Sequence, residues 1–333
     1  MKGGEKKMAK NPMFNFEDAQ RIKCKASIML EGLPGHGKTG LALLLGYYLA
    51  GKDWKKVYHI DTENKSANLF VGINASIGEK FSNFKAGQLT PDIGFKPSNF
   101  LAFREAAKEA GAEVVIEDSI SHAWQYKGGV LDLVTEAKAS SARYSKDSYA
   151  AWGDPTVVKE KNELLNLIRD PQVHVITTVR VKEKMEYGVD TDGKTKLISL
   201  GEQQIQQADL KYEPDLVLHM IRPGSARNGN LIAPVARVVK SRYAIFEPDQ
   251  EYEFNEELLL QLKQYLEEGA DPEELLNKQK EDYVKAVEDY LKAHEAAKVV
   301  WKELKKQAGY AETKLVDLPL AVIKELFIKI ATD

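Results

Sequence analysis

The chain has 333 residues, 43% of them apolar, and carries 47 Lys and Arg against 50 Asp and Glu for a formal net charge of -3. That composition suits one large α/β core with a smaller appendage rather than three separate domains. The balanced charge excludes a global field that would drive the protein onto nucleic acid or an anionic membrane, so any DNA contact has to be local.

The single cysteine, Cys24, excludes an internal disulfide framework and suits a reducing compartment; it is expected to be a small buried residue ahead of the first strand. Met1 to Pro12 is rich in Lys and Gly and lacks the apolar run of about 7–15 residues that marks a signal peptide. No window approaches the ~20 apolar residues of a membrane span, which predicts a cytoplasmic protein without membrane contact.

In chain order, Ala26 to Glu31 reads as a buried strand and Lys38 to Ala50 as a helix with a broad leucine face. Val57 to Ile60 is a second strand, Pro97 to Ala110 a helix, and Glu113 to Glu117 a third strand of the continuous apolar kind found in parallel sheets. Asp154 and Pro155 signal a helix start, with the helix running to about Asp170. Val173 to Val179, Asp215 to Ile221 and Ala233 to Val239 follow as strands, and Val181 to Leu200 reads as a protruding hairpin. Strands alternating with helices imply a parallel sheet with right-handed crossovers.

Asn255 caps a helix to Glu268, and a long helix is expected from about Asp271 to Ala308. On it Tyr283, Val287, Tyr290, His294, Ala297, Trp301, Leu304 and Ala308 form one stripe. Packing on the chain's own last helix, Leu318 to Ile330, would cover that stripe; a coiled coil with another molecule is the alternative. The expected organisation is an extension over residues 1–20, a main α/β core over 21–253 and a helical region over 254–333.

Gly32-Leu33-Pro34-Gly35-His36-Gly37-Lys38-Thr39, followed by Gly40, matches the phosphate-binding loop pattern of a P-loop. Its glycines let successive N–H groups converge on phosphate oxygens at the start of a helix. Lys38 is expected to neutralise the β- and γ-phosphates of ATP, and Thr39 to give its hydroxyl to Mg²⁺. A carboxylate at the end of a buried strand must hold that Mg²⁺ through water; Asp118 is the first candidate and Glu117 the alternative. Glu63, just past the strand that ends in Asp61, is the candidate base for the attacking water. His36, His59, His122 and His174 lack zinc-site spacing, so no metal besides the nucleotide's Mg²⁺ is expected.

Ile60-Asp61-Thr62-Glu63, Asp118-Ser119-Ile120 and Ile176-Thr177-Thr178-Val179-Arg180-Val181-Lys182, taken with the loop, resemble the RecA-like P-loop ATPases. The likeness is nearest to phage-encoded RecA-related ATP-binding proteins, some of which assist single-strand annealing, and spans roughly residues 25 to 250. The resemblance implies a mostly parallel central sheet flanked by helices, Glu63 as catalytic glutamate, and Thr178 at the family's sensor position, normally a glutamine. Val239-Lys240-Ser241-Arg242 is similar to an element that reaches into a neighbouring subunit's ATP, which implies that Lys240 and Arg242 act in trans in a homo-oligomeric ring or filament.

The family's two DNA-facing loops correspond to about 125–153 and 180–210. Lys127, Arg143 and Lys146 in the first, and Arg180, Lys182 and Lys184 in the second, are the candidate contacts to single-stranded DNA, interleaved with aromatic residues. The expected function is ATP hydrolysis coupled to single-stranded DNA in recombination. The alternatives are a nucleotide-gated assembly module that grips protein partners through its C-terminal helices, and a helicase-type motor or loader.

Overall fold

The structure, a computed structural model, describes residues 18–75, 80–140, 143–144, 149–189, 195–221 and 233–332. It divides into two compact units, Cys24–Leu266 and the described part of Met1–Lys23 with Glu267–Asp333. Among the described residues no helix is long and apolar enough to cross a membrane.

In the larger unit β1 (Ser27–Gly32) is buried along its whole length. Helix α1 (Lys38–Leu49) follows after a short loop and is buried at every position from Gly40 to Leu49. A helix apolar on all sides must lie inside the molecule. It does, because Gly46 brings α1 against the sheet: a Cβ there would stand 3.1 Å from Val57 and 3.2 Å from Ile116.

The chain continues through β2 (Val57–Asp61), β3 (Lys85–Gln88), α2 (Pro97–Glu109), β4 (Val114–Asp118), α3 (Ser121–Gln125), α4 (Val130–Ser140) and α5 (Pro155–Asn166). It then runs through β5 (His174–Val189), β6 (Thr195–Gln204), β7 (Leu216–Ile221), β8 (Val235–Ser241), β9 (Glu251–Glu253) and α6 (Glu256–Glu267).

The sheet order is β3-β2-β4-β5-β1-β7-β8-β9, with β6 paired to β5 alone. Strands β3 through β7 in that order are parallel, and β8, β9 and β6 join antiparallel. Successive residues of each strand serve opposite faces. Ile28, Leu30, Val114, Ile116, Leu216 and Leu218 pack with α1 and with Leu259, Leu262 and Leu266 of α6. Met29, Val115, Val175 and Val217 pack on the other face with Phe100 of α2 and Leu164 of α5. The result is three layers whose parallel strands carry their carboxyl ends to one edge, where open α/β sheets bind ligands.

The cap signals at Asp154 and Pro155 have a structural counterpart: Asp154 accepts the Thr156 amide at 2.9 Å, and Pro155 begins α5. Helix α5 stops at Asn166, short of the expected Asp170. Asn255 likewise accepts the Leu258 amide at 3.0 Å ahead of α6.

Several expectations are corrected. Two strands, β3 and β9, were not foreseen. The expected loop over 125–153 contains α4, whose Val130, Leu133, Val134 and Ala137 are buried, and a 3₁₀ turn at Ala150–Gly153. The hairpin expected over Val181 to Leu200 is formed, with β5 running past Val179 as one arm paired to β6, so the second stretch expected to face DNA is ladder where it is described; the hairpin's tip lies outside the described residues. Cys24 is exposed, because it precedes the point at which the chain enters the sheet.

In the smaller unit the expected single long helix is two, α7 (Pro272–Ala293) and α8 (Ala297–Gln307), broken where His294 leaves helical geometry at φ -129°, ψ 85°. The break lets both helices reach α9 (Leu320–Thr332). Val287 of α7 and Trp301 of α8 are covered by Leu318, Ile323, Leu326 and Ile330, so the stripe finds its partner within the chain.

Candidate functional site

The phosphate loop sits between β1 and α1 at the carboxyl edge of the sheet. Its two ends need glycine for different reasons. Gly32 has φ +156° and a Cβ there would meet the Met220 Cβ at 3.0 Å, whereas Gly37, at φ 85°, supplies the left-handed residue from which α1 starts. Between them Leu33 is half-buried and Pro34 and Gly35 are exposed, and Gly40 is buried against Phe70. His36 ties the loop to β7 through the Met220 carbonyl at 3.1 Å.

Lys38 donates to the carbonyls of Gly32 at 2.8 Å and Leu33 at 3.1 Å, which lays its ammonium across the mouth of the loop. Burial lowers its pKa, with Arg180 acting in the same direction and Asp118 and Glu63 opposing. The unpaired amides at the start of α1 and this ammonium make the loop an anion site.

Asp118 ends β4 with its side chain buried. The Thr39 hydroxyl donates to its Oδ2 at 2.6 Å, the Thr178 hydroxyl donates to its Oδ1, and His59 Nε2 stands 3.5 Å from Oδ2. Burial alone would raise this carboxyl; the contacts with His59, Thr178 and Thr39 outweigh it and hold the pKa at about 2. Thr178 is thus bound to the aspartate across the β4/β5 edge. Glu117, one residue earlier, faces the opposite side of the sheet and is bound by Arg104 at 2.6 Å.

The ends of β2 and β4 are sewn together by Thr62. Its hydroxyl lies 3.0 Å from the Asp118 carbonyl, accepts the Ser119 amide at 2.8 Å and meets His122 Nδ1 at 2.7 Å. The Asp118–Ser119 peptide is cis. Burial, then the Arg180 charge, lowers the His122 pKa to about 4.

Glu63 leaves this junction with its amide donating to Asp61 Oδ1 at 2.5 Å. Its carboxylate Oε1 accepts from both Nε and Nη2 of Arg180, each at 2.8 Å. Arg180 Nη1 donates to the Tyr126 hydroxyl at 2.9 Å.

Arg180 thus lies inside the site, not in a solvent loop. Its position two residues beyond Thr178 on one strand was the available signal, since such residues share a face. Thr62, His59 and His122 were also not anticipated as parts of the site.

Other predicted residues lie elsewhere. Lys240 donates to the carbonyls of Tyr212 and Pro214, both at 2.5 Å, and Arg242 pairs with Asp215 at 2.7 Å. In the β7/β8 ladder Lys240 pairs with Val217, while the end of β7 near the phosphate loop pairs with Val235. Lys240 and Arg242 consequently occupy the sheet edge opposite their own phosphate loop. Lys127, Arg143 and Lys182 are exposed. Lys146 lies outside the described residues, as does the side chain of Lys184.

No cluster of three or more His, Cys, Asp or Glu side chains that could hold a metal occurs among the described residues. The Thr39 hydroxyl beside Asp118 is instead a hard-oxygen pair, and it fits Mg²⁺, which takes one or two protein oxygens and completes its shell with substrate phosphates and water.

A phosphate loop joining a buried strand to a buried helix, with a strand-end aspartate on the first hydroxyl of that helix, makes the protein a P-loop nucleoside triphosphatase of the α/β class. The comparison with family models narrows this. The AAA domain model matches residues 24–253, and the chain belongs to that family of AAA-type, nucleotide-binding P-loop ATPases. No curated protein matches the chain.

Proposed function

We propose that the protein hydrolyses ATP with Mg²⁺ and couples the cycle to single-stranded DNA, as RecA-like proteins of phage-type recombination do. The observation that carries the ATPase part is the Thr39 hydroxyl 2.6 Å from Asp118, with the Lys38 ammonium on the same edge of the sheet. Lys38 binds the β- and γ-phosphates, and Thr39 and Asp118 hold Mg²⁺, which neutralises phosphate charge when bound. Glu63 orients and deprotonates the attacking water, a role supported by its place just beyond the strand next to that of Asp118.

The DNA part rests on exposed Lys127, next in sequence to the exposed Tyr126, and on exposed Lys182, where β5 extends into its hairpin. Lys240 and Arg242 act on a neighbouring subunit's nucleotide, a reading supported by their distance from the cis site. Assembly without DNA is the second reading, and the same measurements decide between them.

Lys38→Ala is expected to abolish tight binding of Mg-ATP; unchanged affinity by calorimetry refutes the ATP reading. Stimulation of turnover by single-stranded DNA, with affinity that steepens as salt falls, supports the coupling. ATP-dependent growth in mass without any DNA effect favours the assembly reading.

A further inference from the structure

The Cα of Arg180 pairs across the β1/β5 ladder with Gly32, the residue that opens the phosphate loop. Thr178, one pleat earlier on the same face, is committed to Asp118. Arg180 is therefore the first side chain of β5 beyond the buried sheet that is long enough to act at the loop. The charge of Arg180 already depresses the pKa of Lys38, so the two cations share one electrostatic environment.

Its present partners are replaceable. The Arg180 and Glu63 side chains keep 29% and 28% of their surface exposed, and both bonds from the guanidinium fall on the single oxygen Oε1. A partly exposed ion pair of this kind contributes little and is readily exchanged. Phosphate offers the guanidinium more charge and a geometry its planar fork matches with two parallel bonds. The Tyr126 hydroxyl at 2.9 Å and its ring 5.6 Å from the guanidinium carbon hold the head at the rim of the site, where a small rotation redirects it.

We infer that Arg180 recognises the terminal phosphate of a nucleoside triphosphate, exchanging Glu63 for phosphate oxygens and so distinguishing a triphosphate from a diphosphate. The inference rests on the reading of Gly32 to Thr39 as the ATP site and of Glu63 as the base. With a diphosphate bound the Arg180–Glu63 pair persists and the carboxylate stays tethered. With a triphosphate bound the carboxylate is released to accept a proton from water. Arg180 also stands at the root of the β5/β6 hairpin, so the exchange carries the state of the nucleotide to that hairpin.

The test is calorimetry of the full chain with Mg²⁺ and either ADP or the non-hydrolysable analogue AMP-PNP. Wild type is expected to prefer AMP-PNP. Arg180→Gln should lose about tenfold or more of that preference while its ADP affinity stays within about twofold, and Arg180→Lys should retain part of it. Glu63→Gln, which frees the guanidinium, should raise the ratio of AMP-PNP to ADP affinity several-fold above that of wild type.

An AMP-PNP to ADP ratio in Arg180→Gln equal to that of wild type overturns the inference, as does a Glu63→Gln protein whose ratio does not rise. Turnover separates the underlying reading: Glu63→Gln that hydrolyses ATP at the wild-type rate refutes Glu63 as base, whatever the binding ratios show. A wild-type protein that binds neither nucleotide overturns both.

Discussion

His174 begins β5 beneath the core, only 8% exposed, and its Nδ1 accepts the Ala26 amide at 2.9 Å. That bond exists only when Nδ1 is unprotonated, so the folded protein selects the neutral ring. Burial first, and the charges of Lys25 and Lys263 after it, lower the pKa from 6.5 to about 3. Below pH 6.5 the unfolded chain takes up a proton that the folded chain refuses, so the contribution is complete above that pH and is lost as pH falls toward 3.

Between pH 7 and pH 5 the loss amounts to about 2 kcal/mol from this one ring. The perturbation is His174→Asn, which retains an acceptor for Ala26 and does not titrate. Urea denaturation at pH 7, 6 and 5, followed by circular dichroism, should show the variant less stable at pH 7 but losing about 2 kcal/mol less on acidification. His122 and Asp118, also held below their ordinary values, act in the same direction but titrate in both proteins and cancel. Equal losses in the two proteins refute the reasoning.

Arg104 and Glu117 form a fully buried pair, and the guanidinium also satisfies the carbonyls of Asn166 and Leu167. Arg104→Met strands the carboxylate and should cost about 3–5 kcal/mol in urea denaturation, most of which Arg104→Met with Glu117→Leu should restore. Thr178→Val keeps the shape but removes the hydroxyl from Asp118. A hydrogen bond to a charged group is worth about 1.5–3 kcal/mol, so Mg-ATP turnover should fall by roughly tenfold or more, and Thr178→Ser should recover it.

The parts of the site legible in the sequence are those whose chemistry is local. A glycine loop between an apolar strand and a leucine-rich helix announces itself within about 25 residues of chain, as does an aspartate ending an apolar run. What escaped depended on tertiary pairing. Strand β3 reads Lys85-Ala86-Gly87-Gln88, with no apolar alternation; it is a strand because β2 offers it an edge, and Gly87 leaves room for Phe103, whose ring would lie 2.4 Å from a Cβ.

The placement of Arg180 failed for a related reason. The hairpin after Val179 was legible from its strand-like runs and turn residues, but not that its first arm, held by β6, sets the arginine over Glu63. Helix α4 was hidden by a mixture of charge and small residues. Its four buried positions, Val130, Leu133, Val134 and Ala137, recur at helical spacing, and that periodicity was present to be read.

The placement of Lys240 and Arg242 permits a stringent test of assembly. Within one chain they are bound to the carbonyls of Tyr212 and Pro214 and to Asp215, at the opposite edge of the sheet from Lys38. If they complete a neighbour's site, a chain carrying Lys38→Ala still offers an intact trans wall, and one carrying Arg242→Ala still offers an intact cis wall. Equal amounts of the two, mixed and reassembled at random in a head-to-tail ring or filament, place both intact walls at about one interface in four. The mixture should therefore recover about a quarter of wild-type ATP turnover from two proteins that are inactive alone. Arg242→Lys, which preserves the charge, should retain more activity than Arg242→Ala. A mixture no more active than the sum of its parts, with both variants folded by circular dichroism and assembled by light scattering, shows that these cations serve only their own chain.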